Sequence, residues 1–237
     1  MSDLIRLDKF LSNKNIASRK DVSVYIRKGR VLVDGLVQKN ASTKIDPQNC
    51  KISFDGEVLS YEKYIYIMMN KPKGVLSATR DNKSNTVLQI IPQDLFRKNL
   101  FPVGRLDKDT TGLLIITNDG DFSHKVLAPK SHIYKEYKAS LDIDLDEKDI
   151  LDFEKGIQTG GNNFLPAVLR IDENDKKIGY VKIREGKFHQ VKRMFKACGK
   201  TVIDLERLCM GELKLDKALK EGECRQMTSE DLDRIFK

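Results

Sequence analysis

Gly104-Arg105-Leu106-Asp107-Lys108-Asp109-Thr110-Thr111-Gly112-Leu113-Leu114-Ile115-Ile116-Thr117-Asn118-Asp119-Gly120 decides how the rest of the chain is read. It opens as a charged loop carrying two carboxylates, Asp107 and Asp109. A short apolar run follows, Leu113 to Ile116, which predicts a buried strand. Asn118-Asp119-Gly120 tolerates positive φ and predicts a turn. Loops held by a rigid strand often carry chemistry, although such a loop is more often a plain connection. The spacing alone therefore only nominates the two carboxylates.

Working outward, the segment before this loop predicts a strand over Tyr64 to Met69, stopped by Pro72 and Gly74 in Asn70-Lys71-Pro72-Lys73-Gly74. Thr86 to Gln89 predicts a short capped helix. After the loop, Asp121 to Leu127 predicts a helix and Ser131 to Leu141 a strand bearing Tyr134 and Tyr137. Asp146 to Lys155 reads as an amphipathic helix closed by Gly156. Ala167 to Ile171 and Ile178 to Arg184 pair through a polar turn, Val191 to Cys198 is helical, Thr201 to Leu205 is a strand, and Thr228 caps a last helix.

The N-terminal segment reads as a separate small module. A helix covers Leu7 to Asn13, and a second starts at Ser18, buries Val22, Tyr25 and Ile26 on one face, and ends at Gly29. Asp34-Gly35 and Asp55-Gly56 are hairpin signals between short apolar runs. Ser60 to Lys63 predicts a linker. The expected division is 1–60 and 61–237, in an α+β protein.

Composition narrows the partners. The 237 residues carry a formal charge of +8 and a pI of about 9.2, which favours an anionic partner, nucleic acid first. The first 46 residues hold ten basic against five acidic side chains, so more than half the excess lies in a fifth of the chain. Among these cations Arg6, Lys9, Arg19, Lys20, Arg27, Lys28 and Arg30 are the candidate phosphate contacts. Cys50, Cys198, Cys209 and Cys224 form no Cys-x-x-Cys pair and stand at no zinc spacing from a histidine, so they read as reduced thiols and no metal site is expected. No apolar run is long enough for a membrane span, and Met1 to Phe10 has no signal-peptide core, so a cytoplasmic protein without membrane association is expected.

The residue strings carry more than the spacing. Gly104-Arg105-Leu106-Asp107 followed by Thr110-Thr111-Gly112-Leu113-Leu114, a Thr-x-Gly-Leu-Leu string, resembles the central signature of the pseudouridine synthases that act on ribosomal RNA. Asn70-Lys71-Pro72-Lys73-Gly74, Lys135-Glu136-Tyr137, Glu185-Gly186-Lys187-Phe188-His189-Gln190-Val191-Lys192-Arg193-Met194-Phe195 and Leu205-Glu206-Arg207 resemble further anchors of that family. Residues 4–50, with Arg6-Leu7-Asp8-Lys9-Phe10-Leu11 and Gly29-Arg30-Val31, resemble the S4 (alpha-L) RNA-binding module. The His189-to-Phe195 string together with that module is most similar to the small-subunit branch. Lys192 departs from the pattern, since many relatives carry Arg there, and so does Lys200, where Asn is frequent.

The resemblance implies a catalytic fold with a mixed, mainly antiparallel sheet and a central cleft holding Asp107. It implies Asp107 as the catalytic carboxylate, Lys192 as its ion-pair partner and Tyr137 as the active-site tyrosine against the uracil. Leu205 would pack on the base, Arg105 and His189 would touch substrate or RNA, and Asp109 would shape the loop through backbone hydrogen bonds. The reaction breaks the base–ribose bond, turns the uracil and joins C5 to C1′, and therefore needs no cofactor. A carboxylate suits it as nucleophile or as partner to a cationic sugar; attack on ribose, attack on the ring and assisted elimination all remain open. The expected substrate is 16S rRNA in a partly assembled small subunit, with the enzyme a monomer. The rivals are a 23S rRNA synthase and a non-catalytic assembly factor. A paired-carboxylate glycosidase using Asp107 and Asp109 is disfavoured because the other anchors do not fit it.

Overall fold

Asp34-Gly35 and Asp55-Gly56 turn the chain with both residues at positive φ, 50° and 81° in the first and 50° and 88° in the second. That is the backbone that lets a two-residue loop match the twist of its strands. The computed structural model describes residues 4–14, 16–159 and 161–237, so the first three residues of the charged N-terminal stretch lie outside it. It divides into two compact units, Met1–Ile65 and Tyr66–Lys237.

The first unit contains β1 (Ile5–Arg6), α1 (Leu7–Asn13), α2 (Arg19–Arg27), β2 (Val31–Val33), β3 (Leu36–Val37), β4 (Lys44–Ile45), β5 (Ile52–Phe54) and β6 (Glu57–Leu59). The two hairpins join as a four-stranded sheet, order β3-β2-β5-β6. Ser18 caps α2 by accepting from the Asp21 N–H, and Asp21 returns its carboxylate to the Ser18 hydroxyl rather than to the backbone. Leu7, Leu11, Val22, Ile26 and Val31 are fully buried and form the core with Phe10, Ile45 and Ile52. Tyr25 is half-buried at the edge of that core, against Phe54.

The second unit contains β7 (Tyr66–Lys71), β8 (Phe101–Pro102), β9 (Thr111–Thr117), α3 (Gly120–Leu127), β10 (Lys135–Leu141), α4 (Glu147–Lys155), β11 (Gln158–Thr159), β12 (Asn162–Asn163), β13 (Val168–Ile171), β14 (Ile178–Ile183), α5 (Gln190–Ala197), β15 (Val202–Met210), β16 (Leu213–Lys214), β17 (Cys224–Gln226) and α6 (Ser229–Ile235). Its main sheet runs β13-β14-β10-β15-β9-β7-β17, with β8 on β9 and β16 on β15. The pairings are antiparallel except β9 with β15, which is parallel through Glu206–Thr111 and Arg207–Gly112. The α+β reading with a mixed, mainly antiparallel sheet holds. Every residue of β9 is buried, as a strand covered on both faces requires.

Three predicted strands change length. β7 starts at Tyr66 rather than Tyr64 and runs on to Lys71, because its ladder with β9 spans Tyr66–Thr117 to Lys71–Gly112. β10 begins only at Lys135, since a 3₁₀ turn over Pro129–Ser131 and His132 at φ 52° precede it. β15 reaches Met210, drawn out by β10 along its length. Lys200, the departure after Gly199, is buried and reaches Asp149 of α4 at 2.8 Å, tying that helix to the turn before β15.

Candidate active site

Asp107 stands on the loop between β8 and β9, and that loop is fixed from behind by main-chain contacts. Lys71, at the end of β7, is fully buried. Its Nζ donates to the carbonyls of Thr110 at 2.9 Å, Pro72 at 3.0 Å and Lys108 at 3.3 Å. The Gly74 N–H also reaches Lys108 O, at 2.8 Å. Ser77 Oγ donates to Leu106 O at 3.0 Å and accepts from Leu106 N–H at 3.1 Å. Burial pushes the Lys71 pKa down to about 8, resisted by the charges of Asp109 and Asp107. The Asn70-to-Gly74 segment is thus a clamp on the loop.

The open side of the loop faces a pocket. Asp107, Leu106 and Thr110 line it with Tyr137 of β10, Ile183 of β14, Leu205 of β15 and, from α5 and the turn before it, His189, Gln190 and Val191. Arg105 lines it as well and is exposed. Tyr137 stands opposite Val181 and Arg207, and Leu205 opposite Ala139, so the sheet ladders carry both side chains to the pocket. The walls mix polar side chains with Leu106, Tyr137, Ile183, Val191 and Leu205, and the Asp107 side chain keeps a quarter of its surface open.

Lys192, in the first turn of α5, lies between the two carboxylates. Its Nζ is 2.5 Å from Asp109 Oδ1 and 3.4 Å from Asp107 Oδ2. The nearer partner is Asp109, which the sequence reading left to backbone hydrogen bonds; one ammonium bridges two carboxylates set two residues apart. Its hydrogen bond holds the Asp109 carboxyl below the usual value of 3.8. His189 Nε2 is 3.5 Å from Asp107 Oδ1. His189 caps α5 from the left-handed region, φ 50° and ψ 33°. Gln190 fixes that turn by accepting from the Lys187 N–H at 3.1 Å and donating to Glu185 Oε1 at 2.9 Å.

On β15 and β10 the unit buries two more cations, Arg207 and Lys135. Arg207 is 3 % exposed, and its Nε donates to Leu113 O at 2.7 Å. Burial, reinforced by the charge of Arg207, lowers the Lys135 pKa. A carboxylate beside an ammonium in a recess that also holds Tyr137 and Leu205 can receive a flat base and stabilise positive charge on a sugar beside it. Sequence reasoning assigned no role to Lys71 or Lys135. Their burial depends on partners distant in sequence, and no local periodicity signals it.

Of the seven N-terminal cations, three form ion pairs among the described residues. Arg6 and Arg19 meet at the buried Asp8, at 2.8 and 3.0 Å. Arg30 pairs with Asp55 and lies over the rings of Tyr25 and Phe54, at 4.3 and 4.7 Å. Lys9, Lys20, Arg27 and Lys28 are exposed, and Arg27 Nε donates to Ser23 O at 3.3 Å. Cys50, Cys198, Cys209 and Cys224 are free thiols. Among the described residues no group of three or more His, Cys, Asp or Glu is placed to hold a metal ion, and none of their helices is long and apolar enough to cross a membrane.

Comparison with known proteins adds to this geometry. The pattern of the family described as RNA pseudouridylate synthase matches residues 65–197, and that of the S4 domain matches residues 5–49. An uncharacterized RNA pseudouridine synthase of Bacillus subtilis is 44% identical over 231 residues, 96% of this chain and 97% of that protein. The ribosomal small subunit pseudouridine synthase A of Vibrio cholerae is 37% identical over 235 residues, covering 98% of this chain and 100% of that one. The protein of the same name in Escherichia coli is 37% identical over 231 residues, 96% and 98% of the two chains. A crystal structure of a pseudouridylate synthase superposes with a TM-score of 0.68 at 34% identity, over 98% of this chain and 99% of that one.

Proposed function

The chain belongs to the RNA pseudouridylate synthase family, and from that premise we propose that it isomerises a uridine of 16S ribosomal RNA with Asp107 as the catalytic carboxylate. In the reaction the C1′–N1 bond breaks, the uracil turns and C1′ bonds to C5. C5 gives up its proton and N1 ends protonated, so atoms and electrons balance without an outside reagent. The observation that carries the reading is the convergence on one pocket of Asp107, Tyr137, Leu205, Arg105 and His189. Asp107 meets the sugar side of a base lying against Tyr137 and Leu205. Lys192 sets an ammonium 3.4 Å from its carboxylate. Reaching this pocket requires the uridine to leave the RNA stack, and Arg105 at the rim suits a phosphate.

Residues 1–60 act as the S4 module and linker that grip the RNA, and 61–237 as the catalytic domain. Support for the small-subunit target comes from relatives bearing that name that align over nearly their whole length. The enzyme works as a cytoplasmic monomer on a partly assembled small subunit. The test is tritium release from C5-labelled uridine in 16S and 23S rRNA, free and in particles, for the protein and for Asp107→Ala. Release from 16S alone, lost in the variant, is expected. Release from 23S would overturn the target, and an active Asp107→Ala would overturn the carboxylate's role.

A further inference from the structure

Phe188 is 72% exposed, more than any other large apolar side chain among the described residues. It is not on a loose loop. Glu185 Oε1 accepts from the Leu165 N–H and from Gln190 Nε2, both at 2.9 Å. Lys187 Nζ donates to Asn163 O at 2.6 Å and pairs with Glu185 Oε2 at 2.8 Å. The Lys187 and Gln190 main chains are closed on each other, Gln190 N–H to Lys187 O at 3.1 Å. The backbone on both sides of Phe188 is therefore pinned, and its ring is held out to solvent by a braced turn.

The ring also has a fixed direction. Left-handed His189 turns the two adjacent side chains face to face, with ring centroids 3.8 Å apart and planes at 19°. His189 in turn reaches Asp107, so carboxylate, imidazole and phenyl form one row leading out of the pocket. One face of Phe188 is used by His189 and the other is open. A non-glycine residue in the left-handed region is uncommon and costs conformational energy. That cost is spent here on presenting an aromatic face beside the pocket.

We propose that Phe188, backed by His189, is a stacking platform for the nucleobase next to the extruded uridine. Once one nucleotide has turned into the pocket, its neighbour loses a stacking partner, and an open aromatic face at the rim replaces it. Such stacking tolerates any base, because every base has a π-face. The platform contributes to holding the opened strand, and target choice lies elsewhere. This inference rests on the pocket being the uridine site.

The chain contains no tryptophan, so Phe188→Trp in the full-length protein introduces a single fluorescent reporter. The probe is a single-stranded RNA with the sequence around the modified uridine, and the same RNA with an abasic residue on one side or the other of it. Quenching by the intact RNA, lost with one of the abasic versions, is expected. Quenching equal with all three RNAs would overturn the platform. In turnover, Phe188→Ala should raise KM roughly tenfold, as removing one stacking ring does, and Phe188→Trp should bring it back. An unchanged KM, or a fall confined to kcat, would overturn it as well. The quenching needs no turnover. An active Asp107→Ala enzyme would therefore remove the catalytic reading and leave the platform standing.

Discussion

Replacing Lys71 by Met should separate folding from catalysis. The ammonium is fully buried, and its pKa falls from 10.5 to about 8. At about 1.4 kcal/mol per pH unit, that burial costs about 3 kcal/mol at neutral pH. Against it stand its hydrogen bonds. Lys108 O keeps the Gly74 N–H after the substitution, so the carbonyls that lose a donor are those of Pro72 and Thr110. Hydrogen bonds to a charged donor contribute about 1.5–3 kcal/mol each, or about 3–6 kcal/mol for the pair. The two effects oppose, and Lys71→Met should lose only about 0–3 kcal/mol of stability. The loop bearing Asp107 nevertheless loses its clamp at Thr110. A shift of about 1 Å at a reacting group lowers a rate about a hundredfold. The expected variant melts near the parent and has kcat reduced about a hundredfold in tritium release, with KM little changed. A folded Lys71→Met with kcat within about threefold of the parent would refute the clamp. The pH dependence supplies a second readout. Because the folded pKa lies below the unfolded one, the unfolded chain binds more protons between pH 8 and 10.5. Wild-type stability relative to Lys71→Met should therefore rise through that window and be flat below it.

Lys192→Met should lower kcat more than Asp109→Asn, by about a hundredfold against about tenfold, because the amide variant leaves the ammonium free to close on Asp107; equal losses measured in the same assay would count against this. Gly112→Ala should cost about 3 kcal/mol, since Gly112 sits at φ 98° and an added Cβ would lie 2.8 Å from Arg207 N and closer still to its carbonyl; urea denaturation measures it, and a loss under 1 kcal/mol would mean the strands part freely there. Asp8, held below its usual pKa of 3.8 by Arg6 and Arg19, should stabilise the N-terminal unit above pH 3.8, with the gain lost as pH falls through the lower folded pKa. Asp8→Asn should remove about 2 kcal/mol at pH 7 and flatten that acid dependence, which circular dichroism of the two proteins across pH 2–6 would register.

The sequence made some parts legible because their cause is local. Asp-Gly at 34–35 and 55–56 can adopt the positive φ angles that close a short hairpin. Ser18, Thr86, Asp146 and Thr228 accept main-chain hydrogen bonds at helix starts within three residues. The pocket residues were legible for another reason, the resemblance of whole strings around Asp107, Tyr137, His189 and Leu205. What escaped was set by partners far along the chain. Lys71 looked like the polar end of a strand, and only the carbonyls of residues 108 and 110 make its burial intelligible. Asp109 read as a loop former because Lys192, its closer partner, is 83 residues away. β15 read as half its length because β10 and β9, which hold its second half, are not its neighbours in sequence.

The order of the main sheet has a consequence for when the enzyme becomes active during synthesis. β9, which follows directly on the Asp107 loop, lies between β7, made before it, and β15, made about ninety residues after it. β7 in turn takes its outer partner from β17, at Cys224–Gln226. A growing chain that has released Asp107 from the ribosome still lacks the strand bearing Leu205, the helix bearing Lys192 and the edge that closes β7. The helices and hairpins of the first unit need no such distant partner. The S4 unit can fold while translation continues, whereas the chemistry waits for nearly the last strand. A nascent or truncated chain then holds its S4 unit before it holds its pocket, and the long-range pairing that delays the pocket also makes it the slower part to fold.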